Sequence, residues 1–326
     1  MKRPKTHLLF LLCLAVLTGV LTGCGKSSPV QTGEEKLSIV TTIFPEYDWV
    51  RQILGDRAGS VELTLLLSNG VDLHSYQPTA DDMIRISTCD LFIHVGGESD
   101  DWVDDALAGA VNKDMVVIDL LDVLADAVKQ EELVEGMQAE SGETETGLDE
   151  HVWLSLRSAA AVCSAIAEQL GALDPANKDA YEANAAAYIE KLNALDARYA
   201  SAVSEAQANT LLFGDRFPFR YLTDDYGLRY YAAFAGCSAE TEASFETIVF
   251  LAGKIEELGL STVLTLEGSD GKLAQTIVDN TTSKNARILQ LDSLQSTTLQ
   301  DIAGGKTYLG AMEQNLEILR QALQRE

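Results

Sequence analysis

One stripe of apolar residues sets the architecture. Tyr181, Ala185, Tyr188, Leu192, Leu195 and Tyr199 recur at spacings of 4, 3, 4, 3 and 4, with neither glycine nor proline from there to about Ala208. That is the period of one helix face. Asp174-Pro175 supplies an N-cap and a first-turn proline, so the spacing predicts a helix over residues 174–208, about 50 Å long at 1.5 Å per residue. A rod of that length spans a whole lobe, and whatever flanks it in sequence must pack along it. The same stripe also suits a coiled-coil dimer, but its flanks favour packing across two lobes.

On both sides of the rod, short β-branched runs alternate with helical patterns, the mark of parallel α/β sheets. Residues 37–44, 61–67, 90–95 and 115–120 read as strands, with helices from about Glu46, Thr79 and Asp101. A second set follows at 210–213, 228–234, 262–266 and 287–291, with helices near 217–225, 242–258, 272–283 and 307–323. The expected fold is α/β: two lobes, each a mostly parallel four-stranded sheet, joined by one long central helix. The lobes are placed at 37–173 and 209–326, and no sequence repeat relates them.

Residues 1–23 stand apart from this pattern. A basic start (Lys2, Arg3, Lys5), an apolar run of about 14 residues and Leu21-Thr22-Gly23-Cys24 read as a secretory signal, since a membrane span needs about 20 apolar residues. The last four residues resemble the lipobox of bacterial lipoproteins, which implies that Cys24 is lipidated and becomes the new N-terminus. Two acyl chains suffice for stable anchoring. Residues 24–36, rich in Ser and Gly, read as a flexible tether.

The whole chain carries 24 Lys+Arg against 50 Asp+Glu; without Lys2, Arg3 and Lys5 the balance is 21 against 50, or −29. Such a charge disfavours nucleic acid and suits a cation. Five cysteines in 326 residues exclude a disulfide scaffold. Cys89 and Cys163 lie in apolar segments and read as core, while Cys237 receives no role. Residues 130–147 are acidic and aperiodic, either a solvated loop or a weak cation collector.

Three histidines remain beyond the signal. His74 lies in a loop after the second strand, where open α/β sheets place ligands, and His151 follows Asp149-Glu150. Imidazole beside carboxylate is a ready metal donor. His94, ending an apolar strand, reads as a hydrogen-bonded core residue. No stand-alone metal motif is present.

Asp72-Leu73-His74-Ser75-Tyr76-Gln77-Pro78-Thr79 and Asp149-Glu150-His151-Val152-Trp153-Leu154 resemble the two histidine motifs of the zinc/manganese solute-binding proteins of ABC importers, the family of the periplasmic zinc-uptake proteins. Residues 37–45 resemble its first strand, Gly96-Gly97-Glu98 with Trp102 its turn after the third strand, and the long helix its strut between lobes. The resemblance runs from Leu37 to the C-terminus. It implies the metal-receptor type of periplasmic binding protein, with His74 and His151 as ligands in a cleft between lobes.

In the second lobe the likeness weakens. Counting back from Tyr226-Gly227 puts Arg216 in the slot of the family's third ligand, and Arg offers no acceptor. Either the adjacent Asp215 coordinates, with helix N-cap as its structural alternative, or Arg216 pairs with a carboxylate. The family's fourth position resembles Glu267. The expected metal ligands are therefore His74, His151, Asp215 and Glu267, with Asp149 and Glu150 either partners of His151 or a solvated flank. Zinc is the expected ion, and manganese the alternative as oxygen ligands increase.

The function implied is a lipid-anchored, monomeric receptor on the extracytoplasmic face of the cell membrane, delivering its ion to an ABC permease and its ATPase without making or breaking bonds. A secreted metallohydrolase and a surface adhesin with a structural metal are the competing readings. The first lacks a recognisable pairing of open metal site and general base.

Overall fold

The computed structural model describes residues 36–138, 147–238 and 242–324. The expected signal segment, Cys24 and the tether up to residue 35 lie outside them, as do residues 139–146 of the acidic segment. Leu37–Glu326 forms one compact unit.

Two four-stranded sheets, each wholly parallel, build this unit. The first has the order β2-β1-β3-β4, with β1 Ser38–Thr41, β2 Glu62–Leu65, β3 Leu91–His94 and β4 Val116–Asp119. Its helices are α1 Phe44–Leu54, α2 Ala80–Thr88, α3 Trp102–Ala108 and the short α4 Leu120–Leu124. Every residue of β3 is buried, as expected of a strand covered on both faces. Local signals set the helix starts. Pro45 occupies the first turn of α1, and Thr79 and Asp82 cap α2 reciprocally. Glu46 folds back onto the backbone N–H groups of Thr42 (2.8 Å) and Ile43 (3.2 Å). Its carboxyl is fully buried, and burial followed by the nearby Asp100 holds its pKa well above the usual carboxylate range.

The chain then enters α5 Leu156–Leu173, the long α6 Lys178–Ser204, and the second sheet. There β5 Thr210–Phe217, β6 Arg229–Ala235, β7 Thr262–Leu266 and β8 Arg287–Leu291 lie in the order β6-β5-β7-β8. Helices α7 Arg220–Tyr226, α8 Phe245–Leu258, α9 Lys272–Asp279, α10 Leu299–Ala303 and α11 Tyr308–Ala322 accompany it. The expected fold class stands, and β7 and β8 match the expected ranges. α4 and α10, five residues each, are too short to show a period.

The buried residues of α6 are the six of the sequence stripe. The helix itself is shorter than expected, 27 residues or about 40 Å. A 3-10 turn at Pro175–Asn177 precedes it, where the Asp174 carboxylate accepts from Asn177 Nδ2 and Tyr181 Oη instead of capping α6. Asn184 on α6 donates to the Ile53 carbonyl in the last turn of α1 (3.0 Å), and farther along Tyr199 bonds the Met312 carbonyl of α11 (2.6 Å) and stacks on Tyr226 of α7. The stripe therefore ties both ends of the chain together, and one continuous core includes Ile39 and Phe92 of the first sheet with Phe213 and Leu264 of the second. A smaller core, containing Leu212, Phe234, Leu251 and Ile277, lies under α8 and α9.

Further bonds join the chain before α6 to the chain after it. Trp153 Nε1 donates to the Ser293 carbonyl (2.8 Å), Tyr308 Oη to the Trp153 carbonyl (2.7 Å), and Tyr221 Oη to the Asp149 carbonyl (2.7 Å). The described ends of the acidic segment take part too. Gln130 pairs with Leu148, and Gln138 bridges to Phe234 of β6, so those ends are tied to the fold while several of their side chains face solvent.

Candidate metal centre

β2 runs out into a 3-10 turn, Leu73–Ser75, that carries His74. Asp72 fixes this turn, its Oδ1 accepting from the His74 N–H (3.0 Å). His151 stands at the head of another 3-10 turn, Val152–Leu154, and Asp149 Oδ1 accepts from the His151 N–H while lying 2.9 Å from its Nδ1. A carboxylate at Nδ1 holds the proton there, so His151 Nε2 presents a lone pair. His74 is oriented the same way: its Nδ1 contacts Ser99 Oγ (2.7 Å), and Ser99 N–H donates to Glu150 Oε1. The two Nε2 atoms face each other at 3.1 Å.

The second sheet adds a thiol. At the end of β6 the chain turns through Gly236-Cys237, and donor atoms of His74, His151 and Cys237 all lie within 4.8 Å of one another. Gly236 is required for this approach, because a Cβ there would come within 2.8 Å of the Phe217 carbonyl and 2.9 Å of the His151 ring. Glu131, from the acidic segment, accepts from the Cys237 N–H (2.9 Å).

Asp215 and Glu267 do not join this group among the described residues, which departs from the sequence expectation. β5 carries an extra residue between Phe213 and Arg216 relative to β6, a bulge that re-aims the side chains there. Asp215 spends its oxygens on the N–H groups of Arg216 and Leu266. It is no helix cap either, since β5 continues to Phe217 and α7 starts only at Arg220. Glu267 accepts from Ser293 N–H and Oγ (2.6 and 2.7 Å) and from the Gln295 and Ser296 N–H groups, so its carboxylate organises the loop after β8. The alternative expected for Arg216 is the one realised: its guanidinium pairs with Asp72 Oδ2 at 2.6 Å.

Electrostatics differ between the three donors. Burial and the neighbouring His151 push His74 down to about 3, so its imidazole is neutral at ordinary pH. On His151 the burial penalty is outweighed by Asp149 and Glu150, and its pKa is raised. Burial and then Glu131, Glu150 and Asp149 push the Cys237 thiol up, so it holds its proton until a cation replaces it.

Sequence reasoning missed Cys237. The signal was available, because Cys237 lies three residues beyond the carboxyl end of a predicted strand, the same topological position that singled out His74. Cys89 and Cys163 are fully buried, as expected, and all three described cysteines are free.

Two parallel α/β sheets bridged by a long helix, with candidate donors converging from both, are the architecture expected of the metal-receptor class of solute-binding proteins. This chain belongs to the family of the periplasmic component A of zinc-uptake complexes, whose model matches residues 39–322. It is 33% identical to the zinc-binding lipoprotein AdcA of Streptococcus pneumoniae over 89% of the chain, and spans only 56% of that longer relative. It is 28% identical to the high-affinity zinc uptake system protein ZnuA of Bacillus subtilis, covering 93% of this chain and 94% of that one. The crystal structure of the Zn(II)-bound ZnuA-like domain of S. pneumoniae AdcA superposes with a TM-score of 0.70 at 30% identity, covering 89% of this chain and 99% of that one.

Proposed function

We propose that this chain captures Zn²⁺ through His74 Nε2, His151 Nε2 and the Cys237 thiolate, and hands it to an ABC permease driven by its ATPase. The observation that carries the reading is the convergence of two oriented imidazoles from the chain before α6 and a thiol from the chain after it. Two nitrogens and a sulfur suit tetrahedral zinc, with bonds of about 2.0–2.1 Å and 2.3 Å. A thiolate in place of the expected carboxylates strengthens the choice of zinc over manganese, a harder ion that prefers oxygen. Capture and release need no catalysis. Membership of the zinc-uptake family and the relatives' names point the same way. Lipidation at Cys24 would hold the receptor on the extracytoplasmic face, as the lipobox-like ending suggests. No helix among the described residues is long and apolar enough to cross a membrane.

The test is substitution of cobalt for zinc in the mature chain. One equivalent of Co²⁺ should give a thiolate-to-cobalt charge-transfer band, displaced by Zn²⁺ and abolished in Cys237→Ser. Tight Zn²⁺ binding that survives His74→Ala with His151→Ala at neutral pH with undiminished affinity would sink the proposal.

A further inference from the structure

A cavity of about 620 Å³ lies at the carboxyl ends of β3 and β4, lined among others by His94, Asp100, Asp104, Asp119 and Asp122. His94 and Asp119 close their strands as register partners. The His94 ring is held by stacking on Phe92 (centroids 5.3 Å, interplanar angle 21°). One face-off is unusual. His94 Nδ1 lies 3.4 Å from Asp100 Oδ2, while its Nε2 lies 3.9 Å from Asp119 Oδ2.

His94 and Asp100 are 6% and 4% exposed, yet His94 Nδ1 and Asp100 Oδ1 have no hydrogen-bond partner. The Nδ1–Asp100 contact is therefore a close approach that a small shift would turn into a hydrogen bond. Gly96 clears the space: with φ at 89°, it lets the Asp119 carboxylate approach to where a Cβ would come within 2.5 Å of it.

We propose that His94 Nε2 and the Asp119 carboxylate form a second divalent-cation site, with Asp100 as the carboxylate behind the imidazole. A carboxylate at Nδ1 favours the tautomer that bares Nε2, the usual arrangement behind a ligating histidine. Two acceptors then face each other in an acidic cavity, an arrangement that a cation converts from repulsion to attraction. Tetrahedral bonds of about 2.0–2.1 Å to N and O place those atoms about 3.4 Å apart, so closure by about half an ångström completes the pair. Water fills the remaining positions, and Asp104 and Asp122 add charge at the rim. With two protein ligands and no thiol, the site exchanges its ion faster than the cleft and takes Zn²⁺ or another first-row ion with little preference.

The test is equilibrium dialysis of the mature chain against Zn²⁺. The parent should bind two equivalents, one tight and one weak. Asp119→Asn, which preserves the side chain's cap on the Asp122 N–H, should lose only the weak one. His74→Ala with His151→Ala should retain only the weak one, so failure of the cleft reading and of this one are separable. A parent that binds a single equivalent overturns the proposal, as does a weak equivalent that persists in both Asp119→Asn and His94→Gln.

Discussion

Arg216 of β5 pairs with Asp72, from the loop after β2: Arg216 Nη2 donates to Asp72 Oδ2 at 2.6 Å, while Asp72 Oδ1 caps the turn that carries His74. One carboxylate therefore does two jobs. Desolvation would raise its pKa, but the guanidinium outweighs it and holds Asp72 below the usual carboxylate range. A position that the family resemblance assigns to a ligand has become a brace for one. We expect Arg216→Met to lower Zn²⁺ affinity about tenfold, the usual cost of removing a partner behind a ligand. Asp72→Asn should retain the cap and lose the ion pair, giving a similar loss without a change in circular dichroism. Titration calorimetry on both variants separates the brace from the cap.

Replacing the thiol should alter selectivity more than fold. Cys237 is only half buried and packs beside Gly236, so Cys237→Ser leaves the core intact. We expect its Zn²⁺ affinity to fall by at least about 100-fold and its preference for Zn²⁺ over Mn²⁺ to shrink, because the hard hydroxyl replaces the soft donor. Competition between the two ions, read by elemental analysis, measures the ratio; unchanged selectivity would exclude coordination by sulfur.

Metal binding should release protons, and the slope identifies which. His74, already pushed down to about 3, contributes none above pH 5. His151 is raised and the Cys237 thiol is raised, so both compete with the metal for their lone pairs. Below the His151 pKa, affinity should rise with pH at about two decades per unit, falling to about one above it as only the thiol proton remains to be displaced. Calorimetry in buffers of different ionisation enthalpy counts these protons. A pH-independent affinity between 5 and 8 would contradict the donor set.

Glu46 gives an independent pH effect on the metal-free protein. Its folded pKa lies well above its unfolded one. Below about pH 4.5 both states hold the proton; as pH rises the unfolded chain ionises first, so this group's contribution to stability is lost until the folded pKa is passed. Glu46→Gln keeps an acceptor for the Thr42 and Ile43 N–H groups and cannot ionise. Its denaturation midpoint relative to the parent should therefore improve between pH 5 and pH 8, and a constant difference would argue against the buried-carboxyl assignment.

The long helix should be a stability determinant for the whole unit. Leu192 is fully buried on the α6 stripe, and Leu192→Ala should cost about 2–5 kcal/mol, the range for a leucine cavity that collapses only in part. Because that stripe packs in one core with residues of both sheets, unfolding should remain a single transition. Two separated transitions in urea would show that the sheets fold independently.

What the sequence determined by itself was periodic or local. The six-residue stripe predicted the buried face of α6 without error, since a helical period is written into residue spacing. β-branched runs located all eight strands, and the motifs around His74 and His151 marked two donors, each held by a carboxylate within two residues. What the tertiary structure decided was which distant groups meet. Cys237 comes near His151 through a turn after β6 in which Gly236 tolerates close approach. Asp215 and Glu267 read as donors in one dimension, but a bulge in β5 and the loop after β8 give their oxygens to backbone N–H groups instead. Arg216, meanwhile, finds Asp72, 144 residues away. Such pairings depend on strand order and on competition for each oxygen, and neither leaves a trace in local spacing.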